Sequence, residues 1–124
     1  MLILQLRVGL MHHNKGVGTI GENHACAYLE KAGFKIIRRN YRYKRAEIDV
    51  IASSEGLLLF VEVKYRSTHQ FGYPEDFVSS NQVKKILEAA EAFIEEFDWN
   101  KAIRFDIIAI DSKMRIEHFE DAFH

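Results

Sequence analysis

The run LLLFVEVKYR, Leu57–Arg66, constrains the fold more than any other stretch of the 124-residue sequence. Its first five residues are all apolar, which predicts a strand buried on both faces in the middle of a sheet. Glu62 and Lys64 follow, and strand alternation places both on the same face as Leu58 and Phe60. A buried charge needs a partner. The run therefore predicts a central strand with an ion pair, a metal or a site open to water at its end.

The patterns on either side of this run predict an α/β domain. Gly16 and Gly18 precede a helical pattern that ends at Gly33, and Ser79 or Ser80 can cap a second helix. The order α-β-β-β-α-β-β indicates a mixed central sheet flanked by helices, in a single domain over residues 1–124. Residues 1–15 form an N-terminal arm or an added strand. The other predicted strands are Phe34–Arg42, Glu47–Ser53, Ile103–Ile110 and, at an edge, Met114–Glu120.

Composition narrows the class of protein. Hydrophobic residues make up 48% of the chain and charged residues 28%, which is typical of a globular domain and excludes disorder. The net charge of −1 means that any nucleic-acid binding must use a local basic patch. One cysteine, Cys26, fits a reducing compartment. No stretch is typical of a secretory signal or a membrane span, so we expect a soluble, cytoplasmic protein without a membrane partner.

Asp49 brings a second acid towards Glu62. It shares one face of its predicted strand with Glu47, while Ile48 and Val50 take the other face. Glu55–Gly56 forms a turn that pairs this strand with the central one, so Asp49 is expected to lie across from Glu62.

Such a pair of acids is typical of a cation site. Mg²⁺ prefers oxygen ligands and keeps several waters, and Asp49, Glu62 and the carbonyl of Val63 would supply three oxygens. Lys64 would orient an attacking water and balance phosphate charge. The alternative is that Glu62 and Lys64 only pair with each other at a strand end.

Glu22 lies on the apolar stripe of the first helix, within about 20° of Leu29 on a helical wheel. An acid is unexpected there without a partner, so Glu22 is a candidate site residue. The alternative is a carboxylate near a helix start, favoured by the helix dipole. Periodicity leaves both explanations open.

The stretch RRNYRYKR is a candidate nucleic-acid contact, because its cations can neutralise phosphates and its two tyrosines can stack on exposed bases. It leads directly into the Asp49 strand. The alternative is a solubilising turn. The five basic residues of this run are Arg38, Arg39, Arg42, Lys44 and Arg45.

Several of these blocks together resemble the YraN-like family of predicted endonucleases, which are related to Holliday junction resolvases in the PD-(D/E)XK nuclease superfamily. The matching blocks are GENHACAYLEKAGFKIIRRNYR, EIDVIA, LLLFVEVKYR, RFDIIAI and a closing DAF. The resemblance spans residues 16–123 and implies a restriction-endonuclease-like core. It places the superfamily aspartate on Asp49, the E-x-K pair on Glu62 and Lys64, and the helix-one acid on Glu22.

One position departs from that pattern. Gln82 stands where family members often have a lysine, and related nuclease branches use a glutamine in this region. We therefore include Gln82 among the candidate catalytic residues. Lys84 and Lys85 follow closely, and a solvated helix face explains these two lysines as well. Asn40 also matches the family pattern.

The resemblance implies a Mg²⁺- or Mn²⁺-dependent endonuclease acting on DNA, with branched or other repair and recombination intermediates as substrates. A homodimer fits a junction-cutting enzyme. The alternative is a catalytically silent module that binds nucleic acid or a repair partner.

Five other residues have plainer explanations. His12 and His13 have no Cys/His cluster around them and are expected at the surface. Cys26 is expected to fill the core. Arg104 and Asp106 are expected to form a structural ion pair.

Overall fold

A computed structural model describes residues 13–66 and 78–123, with the side chains described from Gly18 onward. Two helices and five strands occur within these ranges, in the predicted order α-β-β-β-α-β-β. The α/β fold with a mixed sheet flanked by helices is confirmed, and it is consistent with a restriction-endonuclease-like core. The elements are α1 (His13–Lys31), β1 (Lys35–Tyr43), β2 (Ala46–Ser54), β3 (Leu57–Tyr65), α2 (Ser80–Glu96), β4 (Ala102–Ile110) and β5 (Ile116–Phe119).

The strands form one sheet in the order β1-β2-β3-β4-β5. The first three strands form an antiparallel meander, β4 pairs with β3 in parallel, and β5 closes the edge antiparallel to β4. A parallel pair needs a crossover connection, and here the connection contains α2. β3 therefore occupies the centre of the sheet, as its continuous apolar run predicts.

Two apolar clusters lie on opposite faces of the sheet, because alternate residues of β3 belong to different clusters. Leu58 and Phe60 pack with α2, which contributes Ile86, Ala89, Ala90 and Phe93. Leu59 and Val61 pack with α1, which contributes Ala25, Cys26 and Leu29. The side chains of β3 therefore face α2 on one side of the sheet and α1 on the other.

The start of α1 differs from the prediction. The helix begins at His13, so Gly16 and Gly18 lie inside it rather than before it. Glycine costs a helix about 1 kcal/mol relative to alanine, but packing against the sheet overrides such preferences. The predicted start of α2 is confirmed, because the Ser79 hydroxyl accepts a hydrogen bond from the Gln82 backbone N–H at 3.1 Å. Neither described helix is long and apolar enough to cross a membrane.

The remaining predictions concern parts of the chain outside the described residues. Most of the predicted N-terminal arm, with His12, lies there, and so does the side chain of His13.

Candidate active site

The pairing between β2 and β3 stops one residue before two acids. The ladder runs from Ser54 opposite Leu57 to Val50 opposite Val61, and the next position in this register brings Asp49 opposite Glu62. β3 continues in the sheet beyond this point, because its parallel pairing with β4 extends to Tyr65. The two strands of the hairpin therefore part at Asp49 and Glu62.

The Asp49 side chain bridges the strands where the backbone ladder has ended. Its Oδ2 accepts a hydrogen bond from the Val63 backbone N–H at 2.8 Å. The N–H and C=O of one strand residue point to the same side of the strand. The carbonyl of Val63 is therefore directed to the same side of β3 as the Asp49 carboxylate.

Glu62 receives two polar side chains from the α2 side of the sheet. The Lys64 ammonium lies 3.3 Å from Glu62 Oε2, and Gln82 Nε2 donates a hydrogen bond to the same oxygen at 3.0 Å. Glu62 is only 7% exposed. The Glu62–Lys64 ion pair, which the sequence offers as the alternative explanation, is thus present. Gln82 contacts Glu62 from the first turn of α2.

The electrostatics of the two acids are unfavourable. Burial, reinforced by the Glu62 carboxylate, raises the pKa of Asp49 to about 8, against the Val63 hydrogen bond. Burial also raises the pKa of Glu62, although Lys64 and Gln82 favour its charged form. A buried carboxyl whose charge is further disfavoured by a second acid is typical of a site that accepts a proton or a cation.

Glu22 lies beside this pair, on the α1 side. Asn40 Nδ2 is 3.2 Å from both carboxylate oxygens of Glu22, and the Arg39 guanidinium is 3.6 Å from one of them. Glu22 is near enough to Asp49 to raise its pKa. The sequence alone indicates no role for Asn40, although an asparagine inside a strand pattern can signal a left-handed backbone position.

The carboxylates do not form a ready-made three-acid site. Within residues 13–66 and 78–123, no three His, Cys, Asp or Glu side chains are grouped so that they could hold a metal ion. A cation at Asp49 and Glu62 would instead need the Val63 carbonyl and water for its remaining ligands, which is the usual coordination of Mg²⁺. This set of oxygen ligands fits a hard divalent cation. The two partly desolvated carboxylates lie beside one ammonium group, and a cation would supply the second positive charge that balances them.

The basic run is divided between the two faces of β1. The Arg38 guanidinium lies over the ring of Phe97, 5.2 Å from its centroid, on the α2 side. Arg39 pairs with Glu22 on the α1 side, and Arg42 lies 3.8 Å from Glu47. Lys44 lies over the Tyr43 ring, and Arg45 is exposed in the turn after β1.

A cavity of about 310 Å³ lies beside the candidate site on the α1 side of β1. It includes Glu22 and Arg42, so the acid and the basic run share one opening. It is lined by Gly18, Thr19, Glu22, Asn40, Arg42 and Glu47.

A second buried carboxylate lies elsewhere in the sheet, on β4. Asp106 is fully buried and accepts two hydrogen bonds from Arg104, both at 2.8 Å. The Asp121 N–H donates to it at 3.0 Å, and His118 Nε2 lies 2.7 Å away. These hydrogen bonds outweigh the effect of burial and hold the pKa of Asp106 below its ordinary value. The predicted structural ion pair of Arg104 and Asp106 is confirmed.

Cys26 also has the predicted structural role. Its side chain is buried in the cluster under α1, and burial raises the pKa of the thiol. A thiol with a raised pKa is a poor nucleophile.

The fold and the paired acids define an α/β protein with a restriction-endonuclease-like core. The pattern of the uncharacterised protein family UPF0102 matches residues 21–110. The chain belongs to this family, which is the YraN-like family of predicted endonucleases named above.

Relatives from several bacteria match most of the chain. A UPF0102 protein of Cytophaga hutchinsonii is 44% identical over 110 residues, which are 89% of this chain and 96% of the relative. One from Clostridium botulinum is 39% identical, covering 89% and 95%. One from a Sulfurihydrogenibium species is 41% identical, covering 86% and 92%. None of these names states an activity.

Proposed function

We propose that this protein is a metal-dependent endonuclease that hydrolyses phosphodiester bonds in DNA. The observation that carries the proposal is the placement of Asp49 and Glu62 one residue beyond the end of the β2–β3 pairing. Both acids are largely buried, burial disfavours the charge of each, and the Glu62 carboxylate further disfavours the charge of Asp49. A purely structural ion pair would not need the second acid.

Asp49, Glu62 and the Val63 carbonyl are the groups that would hold Mg²⁺ or Mn²⁺. A bound divalent cation lowers the pKa of its water and stabilises negative charge on a phosphate. Neutralising the two acids is the electrostatic contribution that the chain itself lacks at this position.

The remaining residues act by position and charge. The Lys64 ammonium, 3.3 Å from Glu62, can orient an attacking water and balance charge on the phosphate. Gln82 holds the Glu62 carboxylate by its amide and fixes its orientation. Glu22, on the α1 side, would act through water.

The DNA would lie along β1. Arg39, Arg42 and Arg45 supply exposed cations close to Asp49, and phosphates can compete with Glu22 and Glu47 for the first two. DNA is favoured over RNA, and branched or other repair and recombination intermediates over intact duplex, through the family resemblance.

A cleavage panel tests this function. Purified protein would be incubated with four-way junctions, nicked, single-stranded and duplex DNA, and RNA, each with Mg²⁺, Mn²⁺ or EDTA. We expect metal-dependent cleavage of DNA, and a loss of at least 100-fold in Asp49→Asn, because a group that positions and polarises the reaction contributes about that much. Glu117→Gln, an exposed acid on β5, is the control and should cut like the parent.

The alternative is a module on the same fold that binds nucleic acid or a repair partner without cutting it. The exposed cations Arg39, Arg42 and Arg45 favour this function over a purely structural subunit, because they can contact phosphates without a metal. Tight DNA binding by the parent, with no cleavage in any metal, would establish it and exclude the endonuclease.

A further inference from the structure

Asn40 has an unusual backbone conformation in the middle of β1. Its φ is 50°, in the left-handed region that residues with side chains seldom adopt inside a strand. Such strained positions persist where the surrounding structure enforces them, and they cluster at functional sites. Asparagine is among the residues that tolerate the conformation best. The position therefore calls for an explanation in its surroundings.

The register of the sheet places Asn40 directly across from Asp49. Arg39 pairs with Val50 and Tyr41 pairs with Ile48, so Asn40 and Asp49 are the intervening residues. The regular alternation of β2 is interrupted at the same place, because Ile48 packs on the α2 side of the sheet and Val50 on the α1 side. The expectation that Ile48 and Val50 share a face is therefore wrong.

At this interruption, the side chains of Asp49 and Asn40 contact different elements of the fold. Asp49 reaches across to the Val63 N–H on β3. Asn40 reaches to α1, where its amide contacts both oxygens of Glu22 at 3.2 Å. A single irregular position thus links the acid on the helix to the acids on the hairpin.

We infer that Asn40 is a positioning residue that holds the Glu22 carboxylate at the edge of the Asp49–Glu62 pair and so strengthens its affinity for a divalent cation. The inference rests on the proposed function. Without the Asn40 amide, Glu22 would keep its longer contact with the exposed Arg39 guanidinium at 3.6 Å, which would draw the carboxylate towards solvent. Partners that orient groups around a metal site typically change metal affinity 10- to 100-fold.

Asn40→Gly tests this role without breaking the fold, because glycine adopts a positive φ freely while lacking the amide. We expect its melting temperature to equal or exceed that of the parent. The Mn²⁺ concentration that gives half of the maximal thermal stabilisation should rise about tenfold. Glu22→Gln should show a similar rise, and the double variant should show no further rise, because Asn40 acts through Glu22.

Asp98→Gly is the matched control. Asp98 has a φ of 51° and lies exposed just after α2, so the change relieves the same backbone conformation away from the acids. Its Mn²⁺ response should be that of the parent.

The outcomes separate the two proposals. A parent that shows no stabilisation by Mn²⁺ overturns the proposed function and this inference with it. A parent that responds, together with an Asn40→Gly variant of unchanged Mn²⁺ affinity, overturns this inference alone. An Asn40→Gly effect that persists in the Glu22→Gln background also overturns it.

Discussion

Two of the regions that bury carboxylates shift the carboxylate pKa values in opposite directions. Around Asp106, a guanidinium, an imidazole and a backbone N–H converge, and the pKa falls below its ordinary value. At Asp49 and Glu62, one ammonium and one amide serve Glu62, a single N–H serves Asp49, and both pKa values rise. Burial alone therefore does not identify a functional acid. A functional acid is identified by how many hydrogen-bond donors and positive charges surround it, because a buried acid with too few of them is suited to bind a cation.

The largest expected effect is the loss of stability on disrupting the hydrogen bonds around Asp106. Asp106→Asn removes the charge that Arg104 and His118 surround, and we expect the free energy of unfolding to fall by about 3 kcal/mol, as for a buried ion pair that loses one partner. Asp49→Asn replaces a carboxyl whose charge is disfavoured by burial and by Glu62, and it should leave the free energy of unfolding equal or higher. Urea denaturation of both variants at pH 7 without metal measures this. A loss in Asp49→Asn as large as that in Asp106→Asn would contradict the comparison.

The expected effect of pH on the free energy of unfolding is of intermediate size per pH unit. The pKa of Asp49 is raised from 3.8 to about 8 on folding, so the folded state binds this proton more tightly than the unfolded state. Its contribution to stability is complete below pH 4 and is lost as pH rises towards 8, by up to about 1.4 kcal/mol per pH unit. The contribution of Asp106 to stability has the opposite sign. Because folding lowers the pKa of Asp106, this contribution is lost as pH falls below the ordinary pKa of an aspartate.

Denaturation of the parent and Asp49→Asn at pH 5, 6, 7 and 8 without metal measures the difference. The parent should lose stability relative to the variant as pH rises. Parallel curves for the two proteins would show that Asp49 is charged in the folded state throughout this range.

The smallest expected effect concerns DNA binding along β1. Arg39→Ala and Arg42→Ala should each reduce the slope of log affinity against log salt by about 0.9 on duplex DNA, because each releases one phosphate contact. The effect should be the same for all sequences. Lys101→Ala is the control, since Lys101 precedes β4 at the end of the sheet where β3 begins. Unchanged slopes in both arginine variants would place the DNA elsewhere.

Much of the fold follows from the sequence because apolar runs dictate which strands are buried. The continuous run at Leu57 placed β3 at the centre, and Ser79 marked the start of α2. The spacing of Asp49, Glu62 and Lys64 predicted that the hairpin would bring them together, since register follows from a two-residue turn. The sequence also placed Gln82 near the site, through the resemblance.

Two features did not follow from the sequence. The placement of Arg42 on the α1 side, with Arg39 rather than with Arg38, depends on the irregular backbone at Asn40, because strand alternation assumes that every residue is extended. The contact of Glu22 with Asn40 depends on how α1 docks on the edge of the sheet, which is a tertiary property.

The same left-handed residue also affects how copies of this protein can meet. β1 is an edge strand, and a long flat edge invites another strand to pair with it. The turn at Asn40 and the charged side chains of Arg38, Arg39 and Arg42 interrupt that edge near its middle. A second chain could not extend the sheet along the whole of β1. The predicted homodimer would therefore have to use side-chain surfaces or the opposite edge at β5, which leaves the β1 edge that faces DNA in our proposal free of a neighbouring strand.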